Sequence, residues 1–133
     1  MRDPLPNTNR HGYPHPSQLT RPPRNSARFI PSTILIEAGW TINRHMGSAV
    51  HAKFLDLVTE EFELVELLAA DVRRMAELVR LYRDARLDPA DVSVVAIAER
   101  LGITQIATID RRDFGLIRPQ HVAAFKLLPE VLA

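Results

Sequence analysis

The segment from Leu87 to Asp113, LDPADVSVVAIAERLGITQIATIDRRD, constrains the fold more than any other part of the chain. Asp88 is a strong helix N-cap, and Pro89 suits the first helical position, so Asp91 falls at the third. Val92 to Ala98 is almost wholly apolar, which predicts a helix covered on most sides. Gly102 follows Leu101 as a natural terminator. Gln105 to Ile109 then reads as a short strand buried on both faces, as parallel strands in α/β proteins are. Asp110 stands at the end of that strand. Ligands of open α/β sheets bind outside the carboxyl ends of the strands, so an acid at a helix start and an acid at a strand end can share one site. The plainer alternative is that Asp91 favours the helix dipole and Asp110 is a turn residue.

Hydrophobic residues make up 46% of the 133 positions, enough for a single small core. No apolar run has membrane-spanning length, and no hydrophobic signal segment opens the chain. Cysteine is absent, which excludes disulfides and thiolate metal sites and fits a cytoplasmic protein. The formal charge of +1 conceals an asymmetry. Residues 1–28 hold five arginines, one aspartate and six of the ten prolines, with no period of 2 or 3.6. Such a stretch buries too little apolar area to offset its ordering entropy, so residues 1–28 are expected to form a disordered leader and residues 29–133 the domain.

From Arg28 onward, strands and helices alternate. Phe29-Ile30-Pro31 predicts a strand, and Ser32 or Thr33 caps the helix after it. In that helix Ile34, Glu37, Ala38 and Thr41 share a face, which places a carboxylate on an apolar stripe or at its shoulder. A second helix is expected over Ala49 to Glu60 with Val50, Phe54, Leu57 and Val58 inward, then a strand over Phe62 to Leu67. A third helix, Ala70 to Arg83, should turn Val72, Met75, Ala76, Val79 and Tyr82 to the core. Its Arg73, Arg74, Arg80 and Arg83 should face solvent. A last strand is expected over Phe125 to Leu128. His45, His51 and His121 lack ligand spacing, and there is no Gly-rich phosphate loop or Ser-His-Asp arrangement. The alternation predicts a three-layer α/β/α domain with a mainly parallel sheet.

Four stretches in order resemble the PIN-domain ribonucleases, most closely the VapC-type toxins of toxin–antitoxin pairs: PSTILIEAGW (Pro31 to Trp40), DVSVVAIAERLG (Asp91 to Gly102), IATIDRRDF (Ile106 to Phe114) and RPQHVAAFKLLP (Arg118 to Pro129). The resemblance implies hydrolysis of RNA phosphodiesters with Mg²⁺ or Mn²⁺ held by an acidic cluster. By position in those motifs, Glu37, Asp91 and Asp110 match the metal-binding catalytic acids, and Asp113 matches a further acid sometimes part of the cluster. Thr108 and Ser93 match small hydroxyl residues near the site, and Arg111, Arg112 and Arg118 are candidate RNA-phosphate contacts. The implied partners are an RNA substrate, a cognate antitoxin and a second copy in a homodimer, with no membrane. Hard divalent cations need such oxygen ligands.

The family pattern also opens with an apolar strand ending in V-D-[ST], whose aspartate is a principal metal ligand. No such strand is visible here, and Asp3 is the only acid before Glu37. With a family sheet order of 3-2-1-4-5, the fold is expected to be truncated at the N-terminus with its central first strand missing. A decayed or frameshifted gene, a misplaced start codon, or closure of the two flanking strands on one another would each account for this. Weak or lost activity follows, and the alternative function is an inactive module that binds an antitoxin or an intact paralogue.

Overall fold

The computed structural model describes residues 27–108 and 110–129. The expected leader lies outside the described residues, apart from its last two positions, as does Ile109. The elements run β1 (Phe29–Pro31), α1 (Ser32–Met46), α2 (Ser48–Glu61), β2 (Glu63–Val65), α3 (Ala69–Leu81), a 3₁₀ turn (Arg83–Ala85), α4 (Pro89–Leu101), β3 (Gln105–Ala107), α5 (Arg112–Leu116) and β4 (Lys126–Leu128). The chain divides into two compact units.

The first unit holds residues 27–30 and Gly39–Val65. Here β1 pairs with β2, and the Glu63 N–H donates to the Arg28 carbonyl at 2.7 Å. Val58 of α2 is buried, whereas Val50 and Leu57, expected inward, are exposed. Gly39 is the buried position of α1. A Cβ there would stand 2.9 Å from His51 Nε2, so glycine permits α2 to approach closely.

The second unit holds Pro31–Ala38 and residues 66–129. Its core gathers Leu78, Val92, Val95, Ala98, Ile106, Phe114, Ile117 and Phe125. The α4 helix follows the sequence closely. Asp88 Oδ1 accepts the Ala90 and Asp91 N–H groups at 2.9 and 3.2 Å. At its other end Gly102 adopts φ 69°, and the Ile103 N–H reaches the Ala98 carbonyl at 2.8 Å, a Schellman ending.

The α3 helix presents a different face from the one expected. Asp71 and Leu78 are buried, with Met75 and Tyr82 packed beside them, while Val72 and Val79 are each 50% exposed. The cause is polar. Asp71 Oδ2 accepts the Leu68 N–H at 2.9 Å, and Asp71 Oδ1 receives Arg100 Nε at 2.9 Å, which turns the helix by about one residue. Arg74, expected to be solvated, is half-buried and joins Glu99 at 2.8 Å.

β3 and β4 pair in parallel, with Ile106 opposite Leu127. Only Ile106 of β3 is buried. Gln105 and Ala107 are exposed, so the strand alternates instead of being covered on both faces. Among the described residues the strands form two separate two-stranded sheets, β1–β2 and β3–β4.

Candidate active site

The site residues lie in the second unit, at the starts of α1 and α4 and in the loop from β3 into α5. Glu37 is one turn along α1 and exposed. Partial burial raises its pKa, and the Asp88 carboxylate adds to that. Thr33, Ile36, Glu37, Leu67, Met75, Asp88 and Pro89 border an open cleft of about 580 Å³.

Asp91, at the third position of α4, is half-buried. Its carboxyl is pushed up to about 7, first by burial, then by a side-chain hydrogen bond with Asp113, then by the charges of Asp88, Asp113 and Asp110. Two carboxyl groups bond only when one carries a proton, so Asp91 donates and Asp113 accepts. Asp113 is 4% exposed and fully engaged. Its Oδ2 accepts the Asp88 N–H at 2.9 Å and its Oδ1 accepts Arg112 Nη1 at 3.0 Å.

Asp110 is exposed beyond β3. Its Oδ1 accepts the Arg112 N–H at 3.2 Å, and its carbonyl accepts the Thr108 hydroxyl at 2.7 Å. Thr108 therefore shapes the strand end. Ser93 is 0% exposed, so its hydroxyl is presented to no ligand at the surface. Arg112 bridges Asp113 and the Ala85 carbonyl. The Arg111 Nε and Nη2 are buried without a partner among the described residues. Arg118 is exposed, its Nη1 donating to the Gly115 carbonyl at 3.2 Å.

The structure thus gathers Asp91, Asp110 and Asp113 electrostatically and sets Glu37 beside Asp88. Asp88 was visible in the sequence only as a helix cap. Nothing in the pattern signalled that its charge and backbone N–H also act on the other acids. Among the described residues no three His, Asp or Glu side chains converge closely enough to hold one ion. Mutual charge acts over longer distances than coordination, so both statements hold together. In kind the donors suit a hard divalent cation: all are carboxylate oxygens, and their repulsion is what a cation relieves.

A protein-family model described as the PIN domain matches residues 14–118, beginning ahead of the boundary expected at Arg28. The chain is similar to a protein of Mycobacterium tuberculosis (strain ATCC 25618 / H37Rv) named Ribonuclease VapC26, with 30% identity over 104 residues. That span is 77% of this chain and 77% of the relative.

Proposed function

The chain belongs to the PIN-domain family, whose fold is three-layer α/β/α, and on that premise we propose that it is a VapC-like toxin endoribonuclease. The substrate is single-stranded or loop RNA. The reaction adds water across a phosphodiester P–O bond, leaving a phosphate on one product and a hydroxyl on the other. The single observation that carries the reading is Asp91: a half-buried acid pushed up to about 7 first by burial and then by the carboxyl groups around it, as expected of a site built for a cation.

Glu37, Asp91 and Asp110 are the residues that would hold Mg²⁺ or Mn²⁺, and they would have to close on the ion, since no three acids among the described residues stand within reach of one. A bound divalent cation supplies positive charge against the phosphate oxygens and acidifies a water. The protein's own groups do the rest. Asp113, fixed by the Asp88 N–H and by Arg112, aims the Asp91 carboxyl and takes its hydrogen bond. We assign Asp113 this orienting role in preference to ligation, because its oxygens are already engaged. Arg112 offsets the charge of the cluster. Arg118, which is exposed, is the candidate for RNA phosphate.

Asp3 is the only acid before Glu37, so the principal ligand at the end of the family's first strand has no evident counterpart. The assay is cleavage of a labelled RNA hairpin by the full chain with Mn²⁺, with EDTA, and with Asp91→Asn. Manganese-dependent cutting that is lost in the variant is expected. Cutting that persists in EDTA or in Asp91→Asn refutes the assignment.

The second reading is an inactive module docking an antitoxin or an intact paralogue. It is favoured by bare apolar side chains on α1, where Ile36 is 72% and Trp40 is 64% exposed. A complex that survives mutation of Glu37, Asp91 and Asp110 together, from a chain without nuclease activity, selects it. A homodimer through such apolar surface and a cytoplasmic setting complete the proposal. Among the described residues no helix is long and apolar enough to cross a membrane.

A further inference from the structure

We propose that the hydroxyl pair Thr33–Ser93 is a positioning device of the acid site, holding the first turn of α1 against the first turn of α4. The proposal rests on the reading of this site as RNA-cleaving, since it assigns a role within that chemistry.

The two oxygens are 2.6 Å apart and belong to residues 60 positions apart in the chain. Ser93 Oγ is also 2.6 Å from the Ala90 carbonyl. A carbonyl only accepts, so the Ser93 proton is committed there, and Thr33 must be the donor to Ser93. The direction of the contact is fixed by its surroundings. Ser93 is fully buried, so no water competes for its free lone pair. Thr33 stands four residues before Glu37 and on the same face of α1. Ser93 stands two residues after Asp91, within the turn that Asp88 caps. One short bond therefore ties the turn just before Glu37 to the residues beside Asp91.

That tie matters because α1 packs on α4 only sparsely, unlike the broad α3–α4 contact. Misplacement of a reacting group by 1 Å costs up to about a hundredfold in rate. Neither hydroxyl needs to touch RNA for this effect, so Thr33 and Ser93 are positioning residues.

The test compares the full chain with Thr33→Val, Thr33→Ser, Ser93→Ala and Thr33→Val/Ser93→Ala. Valine keeps the branched shape of threonine and removes only the donor. Serine keeps the donor. Alanine suits the interior of α4, so Ser93→Ala folds. Two readouts are taken: kcat and KM for RNA cleavage, and amide exchange at residues 34–37. Thr33→Val and Ser93→Ala are expected to lower kcat about tenfold with KM little changed. Thr33→Ser restores it, and the double variant falls no further than either single. Exchange at 34–37 quickens in the three variants that lack the bond and not in Thr33→Ser. Unchanged kcat and exchange in Thr33→Val overturns the proposal, as does failure of Thr33→Ser to restore both. Should the parent chain cut no RNA, the functional reading falls and exchange alone decides. Quickening shared by Thr33→Val and Ser93→Ala but absent from Thr33→Ser upholds the pair, and any other pattern removes it.

Discussion

Asp91 should make the metal-free protein less stable at pH 8 than at pH 5. An aspartate in an unfolded chain ionises near 3.9, whereas here it ionises at about 7. Below pH 4 both states carry the proton and nothing is lost. Between about 4 and 7 the folded chain binds more protons than the unfolded one, so stability falls as pH rises. Above 7 the full penalty stands. Each pH unit between the two values is worth about 1.4 kcal/mol, or about 4 kcal/mol in a site closed to water. Asp91 is only half-buried, and screening reduces this to about 1–2 kcal/mol. For a domain of this size that is about 5–10 °C in Tm. Asp91→Asn keeps a donor toward Asp113 and cannot ionise. In EDTA, thermal unfolding of parent and variant should therefore diverge with pH. The variant should melt higher than the parent at pH 8 and level with it at pH 4.5. The difference between the two curves isolates Asp91 from every other carboxylate. Parallel curves, or a variant that melts lower at pH 8, refute the electrostatic reasoning.

Three further outcomes follow from particular contacts. Gly102→Ala places a Cβ at φ 69° and should cost about 1–2 kcal/mol, measured by urea unfolding. Arg100→Ala strips the partner from Asp71, which is 2% exposed, and should cost about 2–3 kcal/mol, with partial recovery in Arg100→Ala/Asp71→Asn. Added Mn²⁺ should raise Tm more at pH 7.5 than at pH 5.5, because a cation must displace the proton that Asp91 holds at the lower pH. An equal rise at both values would contradict that linkage.

What could be read from the sequence was what depends on near neighbours. Asp88, Pro89 and Gly102 specify α4 through caps made within four residues, and the structure repeats them. The short strands at Phe29 and Gln105 follow from local apolar runs and the breakers beside them. What stayed hidden depends on partners far along the chain. The face of α3 is set by Arg100 on Asp71, 29 residues away, and apolar periodicity pointed to Val79 where Leu78 is the core residue. α5 has no signature in the sequence, since five residues give no period. Arg112 looked like a solvated phosphate contact, yet its partners are Asp113 and Ala85, the latter 27 residues back. Asp113 matches a ligand by its place in the motif, and its oxygens accept the Asp88 N–H and Arg112 Nη1, contacts that the motif does not signal. The four motif stretches named the acids of α4 and the β3 loop, and the charges of Asp110 and Asp113 act on Asp91. The stretches did not reveal that Asp88 would join them.

The central claim is that Glu37, Asp91 and Asp110 act as one divalent-cation site. Electron paramagnetic resonance of Mn²⁺ titrated into the full chain at pH 7.5 tests it most directly, with Glu37→Gln, Asp91→Asn and Asp110→Asn alongside. One bound ion in the parent, with affinity lowered about tenfold or more by each substitution, is the expected result. Three variants that bind Mn²⁺ as the parent does would contradict the account.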